Sequence, residues 1–302
     1  MGRHLDSAKA VFGRDTAGLL DGGRYALIHT RSLEFDDLRP YVAGDDVRDI
    51  DWKASARSGH TLIKRFVTEK HHKILVVADA GRNMSAVCPS GEYKRDVAAH
   101  VIGALGLITL RRSDEIGMVF GDARGCIDIR LRRGETHLEY MLAHFVEHAG
   151  GQERSDSGKR FGGRPGRSDV VTQLDWVAEH YRRPHLVIVV SDEPTIDDRL
   201  EALLTRLRAR HDVMWAMVAD FPAVGSADDD SLGYDVATGD TVLSGDDLGA
   251  DVLEAYQHAE RQRREALSEF MTVHAVPHVT IGSSLGIRSG LVGMTGVFAR
   301  AG

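Results

Sequence analysis

Two carboxylates close short apolar runs in this 302-residue chain. Ile74-Leu75-Val76-Val77-Ala78 runs into Asp79, and Leu186-Val187-Ile188-Val189-Val190 runs into Ser191-Asp192. Acids that follow buried runs sit at one rim of a sheet, and ligands of open parallel sheets collect outside the carboxyl ends of the strands. A pair of rim carboxylates suits a hard divalent cation. Mg²⁺ takes six oxygens in octahedral geometry, from one or two carboxylates, hydroxyls and retained waters. A metal-dependent hydrolase built on these strand-end acids is therefore one reading. The same residues also suit a metal-free arrangement. Asp79 can cap the helix that follows it, and Ser168 can cap the helix beginning near Asp169. Arg82 can form an ion pair with the two acids in place of a metal.

Other catalytic patterns are missing. The histidines show no HExxH spacing, and His144 and His148 lie four apart on one helix face without a third ligand in sequence. There is no Gly-x-Ser-x-Gly elbow and no Gly-x-x-x-x-Gly-Lys loop. Gly162-Gly163-Arg164-Pro165-Gly166 is basic enough for a phosphate, but Pro165 removes a backbone donor that such a loop uses.

The elements that must position the acids are legible as alternating patterns. A third apolar run, Val213–Val218, ends near Asp220, and all three are short, apolar on both faces and rich in β-branched residues. Parallel strands covered by helices require that composition. Helical stretches lie between and after them: Tyr93–Leu110, Glu135–Ala149, Asp169–Arg182, Asp197–Arg210 and Asp251–His274. The alternation predicts an α/β fold with a doubly wound, mainly parallel sheet and helices on both faces. Ile116–Phe120 and Ile127–Leu131 read as a hairpin-linked pair with an exposed second strand, and His278–Ile281 as a late strand. Residues 5–21 carry an imperfect helical stripe, and Thr61–Val67 reads as an antiparallel-type edge strand. The expected division is an N-terminal segment, 1–72, and an α/β domain, 73–302. The glycine- and arginine-rich stretch 150–167 is expected to be mobile, and 224–249 to be an acidic excursion.

Composition narrows the partners. A net charge of −7, from 38 Lys+Arg against 45 Asp+Glu, disfavours a dedicated nucleic-acid binder. A nucleic-acid-associated role would have to work through the basic stretch 150–167. Cys88 and Cys126 have neither zinc nor disulfide-framework spacing. No apolar run approaches the ~20 residues that span a bilayer, and the start lacks a signal peptide's apolar stretch, so a cytoplasmic location is expected.

The most specific segment runs from Leu33 to Arg57. It carries Arg39-x-Tyr41, Gly44-Asp45, Arg48-x-Ile50-Asp51-Trp52 and Ala56-Arg57. This string resembles the signature of the DUF58 family, bacterial and archaeal proteins with a von Willebrand factor A (vWA)-like domain. The resemblance implies a non-enzymatic protein-binding module, an adaptor or chaperone component acting with a MoxR-type AAA+ ATPase. In vWA domains an Asp-x-Ser-x-Ser motif, a threonine and a later aspartate form a metal-ion-dependent adhesion site (MIDAS). On that pattern Asp79, Asn83, Ser168 and Asp192 are the implied ligands of a degenerate Mg²⁺ site, with Gly81 where the first serine belongs. The block itself reads as an ion-pair cluster with Trp52 as its aromatic anchor. Asp45, Arg48, Asp51, Trp52 and Arg57, together with Arg82 at the rim, are the expected partner-binding residues.

Overall fold

The computed structural model describes residues 2–12, 34–42, 45, 47, 50–67, 72–150, 166–222, 233–238, 240–242 and 249–301. Arg48, the stretch 151–165 and most of 224–248 lie outside the described residues, and with them the expectations placed there. The elements in chain order are α1 (Arg3–Phe12), β1 (Glu34–Pro40), α2 (Trp52–Ser58), β2 (Leu62–Val67), β3 (Lys73–Asp79), α3 (Lys94–Arg112), β4 (Glu115–Asp122) and β5 (Gly125–Arg132). There follow α4 (Glu135–Ala149), α5 (Val170–His180), β6 (Leu186–Ser191), α6 (Asp198–Arg208), β7 (Asp212–Val218), β8 (Gly233–Tyr234) and β9 (Thr241–Val242). The chain closes with α7 (Ala250–Val273), β10 (His278–Ile281) and α8 (Ile287–Ala301).

The chain divides into two compact units, His29–His71 and the remainder. The larger unit is built on a six-stranded sheet in the order β10-β7-β6-β3-β4-β5. All neighbours are parallel except β4–β5, an antiparallel hairpin whose second strand forms the sheet edge. Numbered within the sheet this order is 3-2-1-4-5-6, the doubly wound arrangement, and its switch point falls between β3 and β6. The expected fold class is therefore the observed one, and α3 to α7 end within two residues of the stretches anticipated for them.

Strand periodicity explains the two cores. Ile74, Val76 and Ala78 of β3 face one layer with Ile188 and Val190, under residues of α1, α3, α4 and α8. Leu75 and Val77 face the other with Val187, Val189 and Trp215, under α5, α6 and α7. Alternate side chains of one strand point to opposite faces, so a strand covered on both sides is apolar throughout. Trp215 is fully buried and its indole N–H donates to Ser191 Oγ at 2.9 Å, which satisfies the one polar atom such a ring carries into a core.

α1 belongs to this larger unit rather than to a separate segment 1–72. Leu5 and Ala8 are buried in the first core. A Cβ on Gly103 of α3 would stand 2.6 Å from Ala8 Cβ, so α1 and α3 approach as closely as they do only because residue 103 has no side chain. The backbone N–H groups of His4 and Leu5, unpaired at a helix start, donate to Glu139 of α4 at 3.1 and 2.7 Å. Among the described residues no helix is long and apolar enough to cross a membrane.

The smaller unit is the antiparallel pair β1–β2 with α2. Asp51 caps α2, its Oδ1 accepting from the backbone N–H of Lys53 and Ala54 at 3.0 Å each. Gly59 ends the helix at φ 75°, where glycine has no steric penalty. Arg39 makes a bidentate pair with Asp45 at 2.7 and 2.6 Å, and Val42 N donates to the same carboxylate, so an ion pair does fix this turn. The anchor is different from the expected one. Ile50 and Ile63 are buried and bridge to one another, whereas Trp52 is 70% exposed.

Candidate functional site

Asp79 ends β3, and Asp192 and Asp220 follow β6 and β7. These three strands are adjacent and parallel, so their carboxyl ends share one rim at the switch point. Asp79 is 1% exposed. It accepts the Gly81 N–H at 2.9 Å and a hydrogen bond from the Ser168 hydroxyl. Burial, with a smaller contribution from the Asp192 charge, pushes its carboxyl up to about 6. Ser168 Oγ in turn accepts from Asn83 N at 3.1 Å, and Asn83 Nδ2 donates to Asp192 Oδ2 at 2.8 Å. The four residues implied as ligands are thus brought together, joined by their own hydrogen bonds.

The cation at this rim is Lys94, which is fully buried at the first position of α3. Its Nζ lies 2.6 Å from Asp192 Oδ1 and 2.5 Å from Asp220 Oδ1. Burial works to lower the ammonium's pKa, but the charges of Asp192 and Asp220 outweigh it and hold Lys94 above its ordinary value. Burial likewise works to raise Asp192, and the charge and hydrogen bond of Lys94 bring it below the usual carboxylate range. Asp220, half-exposed beside the Asp192 charge, is pushed up to about 6 by burial and by that charge. Arg82 does not take the expected place between the acids. Its guanidinium is exposed and donates to the Ala237 carbonyl at 3.2 Å.

The sequence carried one signal for Lys94. A lysine in the first turn of an apolar helix opposes the helix dipole, which favours acids there. Such a residue needs carboxylate partners, and here two strand ends supply them. Capping also differs from the alternatives the sequence left open. Asp169, not Ser168, is the N-cap residue of α5, and Asp79 folds back on Gly81 ahead of a short 3₁₀ turn, Arg82–Ser85.

The donor set does not fit a hard divalent cation. An ion at the Asp192–Asp220 pair would have to displace an ammonium already within hydrogen-bonding distance of both. The serine that an intact adhesion motif places after the first aspartate is sterically excluded as well as missing. A Cβ on Gly81 would stand 2.4 Å from Ser168 Cα. The segment 166–168 occupies that space because Arg82 N donates to Gly166 O at 2.8 Å and Ala123 N to Arg167 O at 2.9 Å. Among the described residues no group of three or more His, Cys, Asp or Glu is placed to hold a metal. Asp45, Asp51, Trp52 and Arg57 belong to the smaller unit.

The rim loops also carry exposed apolar side chains. Val87, Tyr93, Ile196, Phe221 and Leu285 are 37%, 47%, 42%, 44% and 90% exposed. All five sit in the loops that leave the carboxyl ends of β3, β6, β7 and β10. The loops are tied together: Phe221 N donates to Val87 O at 3.1 Å, Val87 bridges to Tyr93, and Ser284 N donates to Glu92 Oε2 at 2.9 Å.

Comparison with known proteins agrees with the signature block. The uncharacterized proteins Rv1480 of Mycobacterium tuberculosis and Mb1516 of Mycobacterium bovis are each 23% identical to this chain over 206 residues, 67% of its length. The chain spans 60% of the length of these relatives. Among solved structures, an aerotolerance-related membrane protein from Bacteroides fragilis matches at 12% identity and a TM-score of 0.43, over 75% of this chain and 99% of that one. A von Willebrand factor type A protein from Catenulispora acidiphila matches at 11% identity and a TM-score of 0.42, over 79% of this chain and 44% of that one. The family described as "Protein of unknown function DUF58" matches residues 37–265, from the Arg39–Asp45 turn through the rim and into α7. With most of its length covered by that match, the chain belongs to the DUF58 family.

Proposed function

We propose that this DUF58 protein is a non-enzymatic, cytoplasmic protein-binding module that presents the carboxyl-end rim of its sheet to a partner. The partner class is a MoxR-type AAA+ ATPase, for which the chain serves as adaptor. The observation that carries the reading is the set of five exposed apolar side chains on the rim loops, beside an ion triad whose lysine is buried and whose Asp220 is half-exposed. An interface core is enriched in apolar and aromatic groups with polar groups at its margin, and this rim has both. The acids support binding over turnover, because each is already engaged. Asp192 is held by Lys94 and Asn83, and Asp79 by Gly81 and Ser168.

Lys94 supplies the positive charge that a metal provides in an intact adhesion site, so association is expected to persist in chelator. The test is a titration of purified MoxR-type ATPase from the same host with this chain, in EDTA and without nucleotide. Leu285→Asp and Phe221→Asp are expected to weaken binding at least tenfold, the scale of losing one buried apolar anchor. Undiminished binding by both variants, or hydrolysis of phosphoester or peptide substrates that Asp79→Ala abolishes, would remove the reading.

A further inference from the structure

The rim holds more carboxylate than its buried cation neutralises. Asp79, Asp192 and Asp220 converge on a single ammonium, Lys94. Lys94 is sealed inside and the Asp192 side chain is 14% exposed, while that of Asp220 is 52% exposed, so the surplus negative charge faces outward at Asp220. Beneath it, beside Asp192, one buried acceptor has no donor among the described residues. It is Oδ1 of Asn83, whose amide N–H goes to Asp192. Among the described residues, Arg82 donates to the Ala237 carbonyl, Arg263 is paired with Glu193 and Glu260, and Arg95 lies over the Tyr93 ring, so none of these three is paired with Asp220. Glu92, the next acid along the rim, is held by Ser90 and by Ser284 N.

The apolar residues border this surplus directly. Phe221 follows Asp220 in the chain, Tyr93 precedes Lys94, and Val87 is joined to both through backbone. The Tyr93 ring already carries the Arg95 guanidinium 4.6 Å from its centroid, which shows that this collar accepts a stacked cation. A metal-loaded adhesion site offers positive charge to a partner's acid; here the outward charge has the opposite sign.

We propose that the rim receives a basic side chain, arginine or lysine, carried on an apolar segment of the partner protein. This inference rests on the rim being the docking face. An arginine fits best because its planar fork of donors matches carboxylate oxygens, and its alkyl stem packs along apolar surface while the head is paired.

The test uses the intact protein and two peptides, Ac-Leu-Arg-Leu-NH₂ and Ac-Leu-Glu-Leu-NH₂, at millimolar concentration and low salt, read by amide chemical shifts. The arginine peptide is expected to shift the amides of Tyr93, Glu193 and Phe221 saturably, and the glutamate peptide to leave them in place. Asp220→Asn, which preserves shape, is expected to weaken the arginine peptide by about two- to fivefold, the range for a partly exposed ion pair. Equal or stronger binding of the glutamate peptide, no shift with either peptide, or arginine-peptide shifts indifferent to Asp220→Asn would each overturn the proposal. If Leu285→Asp and Phe221→Asp abolish ATPase binding while no arginine preference is seen, the docking face stands and only its assigned polarity falls.

Discussion

Asp79 and Asp122 close adjacent parallel strands, and they are 1% and 2% exposed. Yet burial pushes the Asp79 carboxyl up to about 6, while at Asp122 the Arg124 guanidinium overcomes burial and holds the carboxyl down at about 2. The strands treat the two acids alike; their surroundings do not. Asp122 is followed two residues later by an arginine that folds back, Nη2 to Oδ2 at 2.6 Å, and it also accepts the N–H groups of Arg124 and Gly166 at 2.8 and 2.7 Å. Asp79 is followed two residues later by Gly81, which offers one N–H and no side chain, and the cation whose charge acts on it, Lys94, is paired to Asp192 and Asp220. The β4 corner is therefore closed on itself, and the β3–β6–β7 corner keeps charge to spare. A rim acid becomes available to a partner when its local donors fall short, and burial alone does not decide that.

The largest test of this contrast is removal of each corner's cation. Lys94→Met strands two carboxylates beside a buried site and is expected to cost about 3–5 kcal/mol in urea unfolding at neutral pH. Arg124→Met removes a side chain that is 58% exposed and leaves Asp122 its backbone donors, so a loss below about 1 kcal/mol is expected. Equal losses would erase the distinction between the corners.

Protonation separates the same two acids with opposite signs. The folded state holds the Asp79 proton more tightly than the unfolded chain, so its contribution is fully present below pH 3.8 and is lost as pH rises through about 6. Asp79→Asn should therefore raise stability at pH 7–8, on the order of 2 kcal/mol. Asp122 behaves inversely. Its contribution is present above pH 3.8 and is lost as pH falls through about 2, so Asp122→Asn should lower neutral-pH stability by a similar amount. Stability–pH curves of the two variants that bend in the same direction would contradict the assignment.

Gly81→Ser places the adhesion-motif residue back beside Asp79. The new Cβ meets Ser168 backbone at 2.4 Å, and the variant is expected to lose about 1–3 kcal/mol through overpacking. It should gain no Mg²⁺-dependent rise in Tm, because Lys94 still holds the acids; a thermal shift at millimolar Mg²⁺ would show that a metal competes with the lysine. The smallest effect belongs to Asp220→Asn. Its carboxylate is half in water, so less than about 1 kcal/mol of stability is at stake, readable only by comparison with Lys94→Met.

Much of the scaffold was legible from local pattern. Three β-branched apolar runs and the five helical stretches between and after them are enough to state a doubly wound sheet, because burial on two faces or one stripe marks the chain. Asp79 and Asp192 were placed on one rim by the same logic, since an acid after a buried run has only the strand end to occupy. The signature from Arg39 to Arg57 was specific enough to name the family, which the match over residues 37–265 supports.

What lay beyond the pattern is long-range. Lys94 meets Asp192 and Asp220 across 98 and 126 residues, and a buried ion pair leaves no period behind it, only an ill-placed lysine at a helix start. The exclusion of a side chain at Gly81 depends on where residues 166–168 cross, and the membership of α1 in the sheet unit depends on Gly103 admitting Ala8. Trp52 looks like an anchor by composition and stands in solvent, while Ile50 and Ile63 are the buried residues of that unit's strand pair. Periodicity is set by each element's own geometry, two residues in a strand and about 3.6 in a helix, and so is written along the chain. Charge pairing and steric exclusion are set by whichever segments the fold brings together, and these became readable only with the packed molecule.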